Sequence, residues 1–289
     1  MNSKFEQIIV LGSGSLATNC ILHMIEADIP ILIYEVNTTK IPTLELMATQ
    51  RKLKYLNISK DKIFEELIQF SSKTLVFLLG CNYLIPSEVI RNAKLSIINY
   101  HNSLLPKHPG RNAEAWAIYE QDNITGITWH LVDDKIDNGD IIIQKEIPIG
   151  EGISAISLLR MQNQLALETF KEMFNDILEG TISIRKQNYA LRGKLHVSTE
   201  IPNNGYLDVS WEINKIRAFL RAMDYGALRK MGHPKIRINN DTYIWQKVEY
   251  FELDNLEDYF TYNDKENSIV IAKNGKAVKL CNIDIDGGK

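Results

Sequence analysis

Gln7-Ile-Ile-Val-Leu-Gly12-Ser-Gly14-Ser-Leu-Ala17, followed by helical apolar spacing to Ala27 and a second apolar run from Ile29 to Tyr34, decides the fold class. The short apolar run Ile8 to Leu11 closing on glycines reads as a buried strand, and apolar residues at three- and four-residue intervals read as a helix covering it. The strand, helix, strand order continues outward. A polar-faced helix spans Asp61 to Phe70, a strand Thr74 to Leu79, a helix follows Pro86, and a strand covers Leu95 to Asn99. Such alternation predicts an α/β fold with a Rossmann-like, mostly parallel sheet covered on both faces.

Beyond it, Thr125 to Val132 and Asp140 to Pro148 read as strands joined by the loop Asp133 to Gly139. Ser154 is a suitable N-cap for a helix running from Ile156 to Leu178, which Gly180 closes. Thr181 to Asn203 is mixed in character, and the turn Pro202-Asn-Asn-Gly205 marks a joint. We expect a first domain over 1–190, a linker over 191–205 and a small, mostly-β domain over 206–289. The last begins with a helix, Trp211 to Met223, and continues with short strands at Lys235 to Arg237, Thr242 to Tyr250, Ser268 to Ala272 and Ala277 to Ile283. Asn274-Gly275 between the last two is a hairpin signal.

The 289 residues, 45% hydrophobic and 24% charged, suit a folded globular chain with room for a second domain. No apolar run reaches the roughly 18 residues of a membrane span, and Met1 to Gln7 lacks the apolar core of a secretion signal, so a cytoplasmic location is expected. Cys20, Cys81 and Cys281 are odd in number and far apart; neither a disulfide framework nor a metal site is expected. The net charge of -3 exerts no global pull on nucleic acid. Locally, Lys215 to Arg237 holds seven basic residues against the single acid Asp224, a pattern of either a solvated helix face or an anion site.

The glycine loop Gly12-Ser13-Gly14-Ser15 has dinucleotide-fingerprint spacing, with Glu35 where a ribose-binding carboxylate would stand. Its physical content is broader: glycines aim amide hydrogens at any anion on a helix N-terminus, or simply make a tight turn. NAD, a phosphate of another substrate and a structural turn all remain open on this loop alone.

The chemistry concentrates further on. Asn99 and His101 lie two apart at a strand end, so an extended chain puts both side chains on one face. Ser103-Leu-Leu-Pro106 then turns the chain, and Asp137 sits in the tight turn Ile-Asp-Asn-Gly-Asp140. An amide, an imidazole and a carboxylate that converge on one carbonyl point to acyl transfer, although turn chemistry alone also accounts for Asn and Asp in such places.

Asn99-x-His101 followed by Ser-Leu-Leu-Pro, with Gly126-x-Thr128-x-His130 and Ile136-Asp137-x-Gly139-Asp140-Ile, resembles the formyltransferases that use 10-formyltetrahydrofolate. The resemblance is strongest from residue 74 to 150. It implies that Asn99, His101 and Asp137 are the catalytic trio. An amine attacking the formyl carbonyl generates a tetrahedral oxyanion, which Asn99 and His101 meet with donors while Asp137 orients the imidazole and helps move the amine proton. By the same resemblance, Cys81, Asn82, Tyr83, Leu84, Ile85, Val132, Asp133 and Asp134 line the folate slot. Gly12, Ser13, Gly14, Ser15, Ser103 and Arg111 are the candidate acceptor contacts, and His130 is expected to pack or to support the trio.

From Asn204 to Lys235 the chain resembles the start of the C-terminal domain of methionyl-tRNA formyltransferase and its sugar-modifying relatives, implying a barrel-like appendage. Residues 206–289 carry 13 basic and 13 acidic side chains, against the positive surface that tRNA requires. Gly12-Ser-Gly-Ser and Gly110-Arg-Asn-Ala-Glu-Ala-Trp116 depart from the tRNA enzymes and are more similar to branches acting on amino sugars or carrier-tethered aminoacyl groups. The expected acceptor is therefore a small or tethered amine, with initiator tRNA as the alternative and an NAD enzyme or a binding module as readings of another class. A homodimer is compatible with the sequence. The ending Cys281-Asn-Ile-Asp-Ile-Asp-Gly-Gly-Lys289 reads as a linker into a larger synthase.

Overall fold

The computed structural model describes residues 4–36, 42–81 and 83–286. In chain order the elements are β1 (Gln7–Gly12), α1 (Gly14–Met24), β2 (Ile31–Val36), α2 (Glu45–Gln50), β3 (Lys54–Ile58), α3 (Lys60–Ile68), β4 (Thr74–Leu79), α4 (Ser87–Ile90) and β5 (Leu95–His101). Then come α5 (Ala113–Tyr119), β6 (Ile124–Leu131), β7 (Ile141–Pro148), α6 (Ala155–Glu179), β8 (Tyr206–Leu207), α7 (Ile213–Ala222), β9 (Lys235–Ile238), β10 (Asp241–Glu252), β11 (Tyr259–Asn263), β12 (Ser268–Lys273) and β13 (Lys276–Ile285). The chain packs as two units, one of Met1–Gly110, Gly126–Ile147 and Arg160–Leu195, the other of Arg111–Thr125, Pro148–Leu159 and His196–Lys289.

The first unit holds a seven-stranded sheet ordered β3-β2-β1-β4-β5-β6-β7. β1 pairs parallel with β2 and β4, β2 with β3, and β4 with β5, while β5 and β6 are antiparallel. Strand alternation sorts the apolar runs onto two faces. Ile8, Val10, Leu75 and Phe77 pack with Phe170, Met173 and Phe174 of α6; Ile9, Leu11, Val76, Leu78 and Ile97 pack with Ile63 and Leu67 of α3. Both faces are buried, which is why β1, β2 and β4 read as unbroken apolar runs. Trp129 is wholly buried against Phe77 and Phe170, and its indole N–H donates to Thr169 Oγ1 at 3.0 Å.

The second unit contains a six-stranded sheet ordered β11-β12-β13-β10-β9-β8. Asn274 and Gly275 take φ of 50° and 74° between β12 and β13, the two left-handed residues a tight hairpin requires. This unit reaches back in the chain for residues 111–125 and 148–159, whereas the sequence division at 191–205 follows chain order alone. The reason is aromatic: Tyr119 at the end of α5 meets Trp211 at 6.1 Å and Phe219 of α7 at 6.4 Å.

Among the described residues, α2, β3, β8 and β11 carry no sequence expectation. α2 and β3 form short, half-exposed pieces at the sheet edge, β8 has two residues, and β11 is an exposed edge strand flanked by acids. Their burial is too slight to impose a period on the sequence. β5 also runs two residues past Asn99, which places His101 on the strand itself.

Candidate functional site

At the carboxyl end of β5 the face that carries Ile97 turns polar. Asn99 and His101 share that face, and the β6 register sets His130 opposite Asn99 and Thr128 opposite His101. Between β6 and β7, Asp137 takes a left-handed φ of 49° and turns its carboxylate to the same point. Gly139 makes that turn feasible, since a Cβ there would lie 1.8 Å from Leu131 O.

The carboxylate is shared out atom by atom. Oδ1 accepts from Asn99 Nδ2 at 3.3 Å and lies 3.6 Å from His130 Nε2. Oδ2 accepts the Gly110 N–H at 2.7 Å and faces His101 Nδ1 at 3.4 Å. His101 Nε2 donates to His108 O at 2.9 Å, so the imidazole is held between a carbonyl and a carboxylate. His130 Nδ1 donates to Leu131 O at 2.7 Å, leaving Nε2 3.1 Å from Asn99 Nδ2. Without a proton that nitrogen accepts from Asn99; with one it faces Asp137. The side chains of His101, His130 and Asp137 are 5%, 2% and 9% exposed, so these bonds operate out of water.

Burial alone would raise the Asp137 pKa. The His101 charge, the His130 ring and the Gly110 N–H more than offset it, and the carboxyl is held well below the usual carboxylate range. At neutral pH it is a fixed anion.

The surrounding strand serves this cluster. Thr128 Oγ1 donates to Ser103 O at 2.7 Å and accepts from Leu105 N at 3.1 Å, pinning the Ser103–Pro106 turn to β6. Ser103 is itself fully buried, its hydroxyl donating to Lys107 O at 2.6 Å. Gly126 completes the alternating face, where a Cβ would meet Lys145 O at 2.0 Å.

The other sequence candidates fall in three places. Cys81, Tyr83, Ile85 and Val132 are partly buried against the same hydrophobic layer as Ile97, so the 81–85 loop and the end of β6 share one apolar wall. Leu84 is 68% exposed, Asp134 is exposed, and Asp133 accepts from Lys135 N and Asn138 Nδ2, building its own turn. Asn82 lies outside the described residues. Arg111 belongs to the turn before α5, its N–H donating to His196 O at 2.8 Å within the second unit.

The glycine loop is engaged by its own chain. A Cβ on Gly12 would sit 2.0 Å from Leu79 O, and the Ser13 N–H donates to that carbonyl at 2.9 Å. The Gly14 N–H donates to Thr43 Oγ1 at 2.8 Å, while Ser15 is exposed. Glu35, 3% exposed, accepts from Thr43 N and Oγ1, Leu44 N and the Tyr55 hydroxyl. Burial pushes its pKa up, but those four donors outweigh it and lower the value. The carboxylate that the dinucleotide reading assigns to a ribose is therefore committed to holding residues 43–44 and β3.

Sequence reasoning missed the Gly110 N–H, a main-chain donor that no residue type announces. It also missed the contacts that Gln187 and Arg192 make with the Asp137 loop, which carry no periodic signal.

A mostly parallel α/β sheet thus holds an amide, an imidazole and a carboxylate together beyond its strand ends, and the family comparison supplies the class of enzyme. Residues 8–171, more than half of the chain, match the formyl transferase family, and the chain belongs to that family. GDP-perosamine N-formyltransferase of Brucella melitensis is 26% identical over 224 residues, covering 75% of this chain and 84% of the relative. Methionyl-tRNA formyltransferase of Clostridioides difficile is 27% identical over 194 residues, 63% of each chain. Among solved structures, the fold is similar to WlaRD, a sugar 3N-formyl transferase crystallised with dTDP and 5-N-formyl-THF, at a TM-score of 0.77, 19% identity and 99% coverage of both chains. It is equally similar to an N-formyltransferase from Helicobacter canadensis in complex with folinic acid and dTDP-3-aminofucose, at a TM-score of 0.77 and 19% identity, covering 96% of this chain and 99% of that one. Among the described residues, no helix is long and apolar enough to cross a membrane.

Proposed function

We propose that this formyl transferase moves the formyl group of 10-formyltetrahydrofolate onto the primary amine of an amino-sugar nucleotide, with Asn99, His101 and Asp137 as its catalytic residues. The observation that carries the reading is the convergence of Asn99 Nδ2 and His101 Nδ1 on one buried, ionised carboxylate at the end of β5. The sugar-modifying relatives and their ligands support the choice of acceptor.

The folate supplies an electrophilic formyl carbon. Asn99 is only part-buried, and its long bond to Asp137 is the one it can exchange for the formyl oxygen as negative charge collects there. His101, held between His108 O and Asp137, is placed to carry positive charge as the amine nitrogen bonds to carbon. The amine proton passes to the Asp137–His101 pair and is returned to the departing folate nitrogen as the old C–N bond breaks. Asp137 acts chiefly as a fixed charge, because a carboxyl held so acidic is a weak base. The apolar wall of Cys81, Tyr83, Ile85 and Val132 suits one face of a flat pterin. The Ser103 hydroxyl, committed to Lys107 O, serves the loop that carries the histidine.

The test is mass-spectrometric detection of a formylated product after incubation with 10-formyltetrahydrofolate and a panel of amino-sugar nucleotides, aminoacyl carrier proteins and charged initiator tRNA. A formylated sugar nucleotide supports the proposal; formylation of only the tRNA or the carrier-bound amine replaces the acceptor.

A further inference from the structure

Four consecutive carbonyls of the loop that presents Asp137 are taken by side chains of one short segment, Gln187 to Arg192. Arg192 donates from Nη2 to Ile136 O at 2.7 Å and from Nη1 to Asp137 O at 3.4 Å, and Nη1 also reaches Asn138 Oδ1 at 3.3 Å. The Tyr189 hydroxyl donates to Asn138 O at 2.9 Å. Gln187 Nε2 donates to Gly139 O at 2.8 Å and to Asp137 O at 3.1 Å. The segment is anchored at both ends. Arg185 exchanges two main-chain bonds with Ile141 at 2.7 and 2.9 Å, and the Gly193 N–H donates to Pro106 O at 3.0 Å, in the loop that leads to His108.

We infer that this segment is a positioning strap for catalysis, with Arg192 its principal residue. It ties the loop bearing Asp137 to the loop whose His108 carbonyl holds His101, so it sets the distance between the two halves of the site. Asp137 takes a left-handed φ that a non-glycine residue rarely adopts, and the exposed residues just before it, Asp134, Lys135 and Ile136, bring little packing to fix the loop. A guanidinium, with five donors in a planar fork, reaches the three acceptors from two separate nitrogens, a geometry that the single nitrogen of an ammonium does not match. The segment touches no reacting atom in this scheme, and its effect is exerted through Asp137.

The inference rests on the proposed formyl transfer for its kinetic readout, so a second readout independent of turnover accompanies it. In the full chain, Arg192→Ala should lower kcat about tenfold or more while changing KM for folate and acceptor less than about threefold. Millimolar guanidinium chloride should restore part of that loss, and Arg192→Lys should recover less than the native residue. Tyr189→Phe, which deletes one exposed hydroxyl, should lower kcat about two- to fivefold, and Leu191→Ala should match the wild type. Hydrogen exchange of the 132–139 amides should quicken in Arg192→Ala and Tyr189→Phe, whether or not any acceptor is formylated. Wild-type kcat in a folded Arg192→Ala, or unchanged exchange in that loop, overturns the strap. If Arg192→Ala does not fold, Tyr189→Phe decides by the same two measurements. Absence of turnover in the wild type, with faster exchange in the variants, removes the formyl-transfer reading and leaves the strap standing.

Discussion

Asn99 and Asp137 contribute differently, and each difference can be measured. In the proposed reaction Asn99 offers the exchangeable donor, so Asn99→Ala should cut kcat/KM about 100- to 1000-fold, the usual cost of one oxyanion donor, with an unchanged far-UV circular dichroism spectrum. Asp137 is ionised in the folded state far below its unfolded pKa. Its stabilising contribution is therefore complete above about pH 4 and is lost as pH falls through the depressed folded value. Asp137→Asn should melt below the wild type at neutral pH, and the two Tm curves should converge in acid; parallel curves from pH 2 to 6 would refute the linkage. The residue types of this trio were legible because Asn99 and His101 share a strand face and Asp137 sits in a recognisable turn. That they meet was an expectation of the sequence; the groups that fix the meeting point were not legible. That point depends on the Gly110 N–H and on His130, which lies opposite Asn99 through a cross-strand register that the sequence does not state.

At the scale of elements, β6 shows how an alternating motif divides its labour. Gly126 permits close approach of Lys145 O, Thr128 pins the Ser103 turn and His130 meets Asn99, all on one face, while Ile127 and Trp129 fill the core on the other. The turn that follows depends on Gly139 in the same manner. Gly139→Ala places a methyl group 1.8 Å from Leu131 O, so the loop must shift. We expect a loss of about 1–3 kcal/mol or more in urea denaturation, accompanied by a loss of formyl transfer out of proportion to the stability change. Retained activity with a normal unfolding midpoint would mean that the turn relaxes freely. The glycine loop shows the reverse lesson. Its spacing was legible, but the use of Glu35 and Thr43 to hold residues 43–44 and cap Gly14 came only from packing.

Over the whole molecule, the basic run from Lys215 to Arg237 bears on the acceptor. Lys215 donates to Tyr119 O, Arg217 pairs with Glu252, Arg221 donates to the Gly150 and Ile153 carbonyls, Lys230 pairs with Glu114, and Lys235 pairs with Asp286. Most of the run is spent inside the second unit and leaves little for a polyphosphate backbone. Transfer to a sugar nucleotide should lose less than about tenfold in kcat/KM between 50 and 200 mM salt, whereas a partner neutralised at six to ten phosphates loses about 1000-fold or more. A steep salt slope with every accepted amine would return the tRNA reading. The sequence by itself determined the alternation of strands and helices, the two-faced burial of the parallel sheet and the residue types of the site, because local periodicity and turn chemistry act over a few residues. Only the tertiary structure decided that residues 111–125 pack with the second unit and that Arg192 and Tyr189 grip the Asp137 loop. The Tyr189 and Arg192 contacts reach main-chain carbonyls 51 and 56 residues away and follow no period, so they exist only once the sheet has brought the segments together.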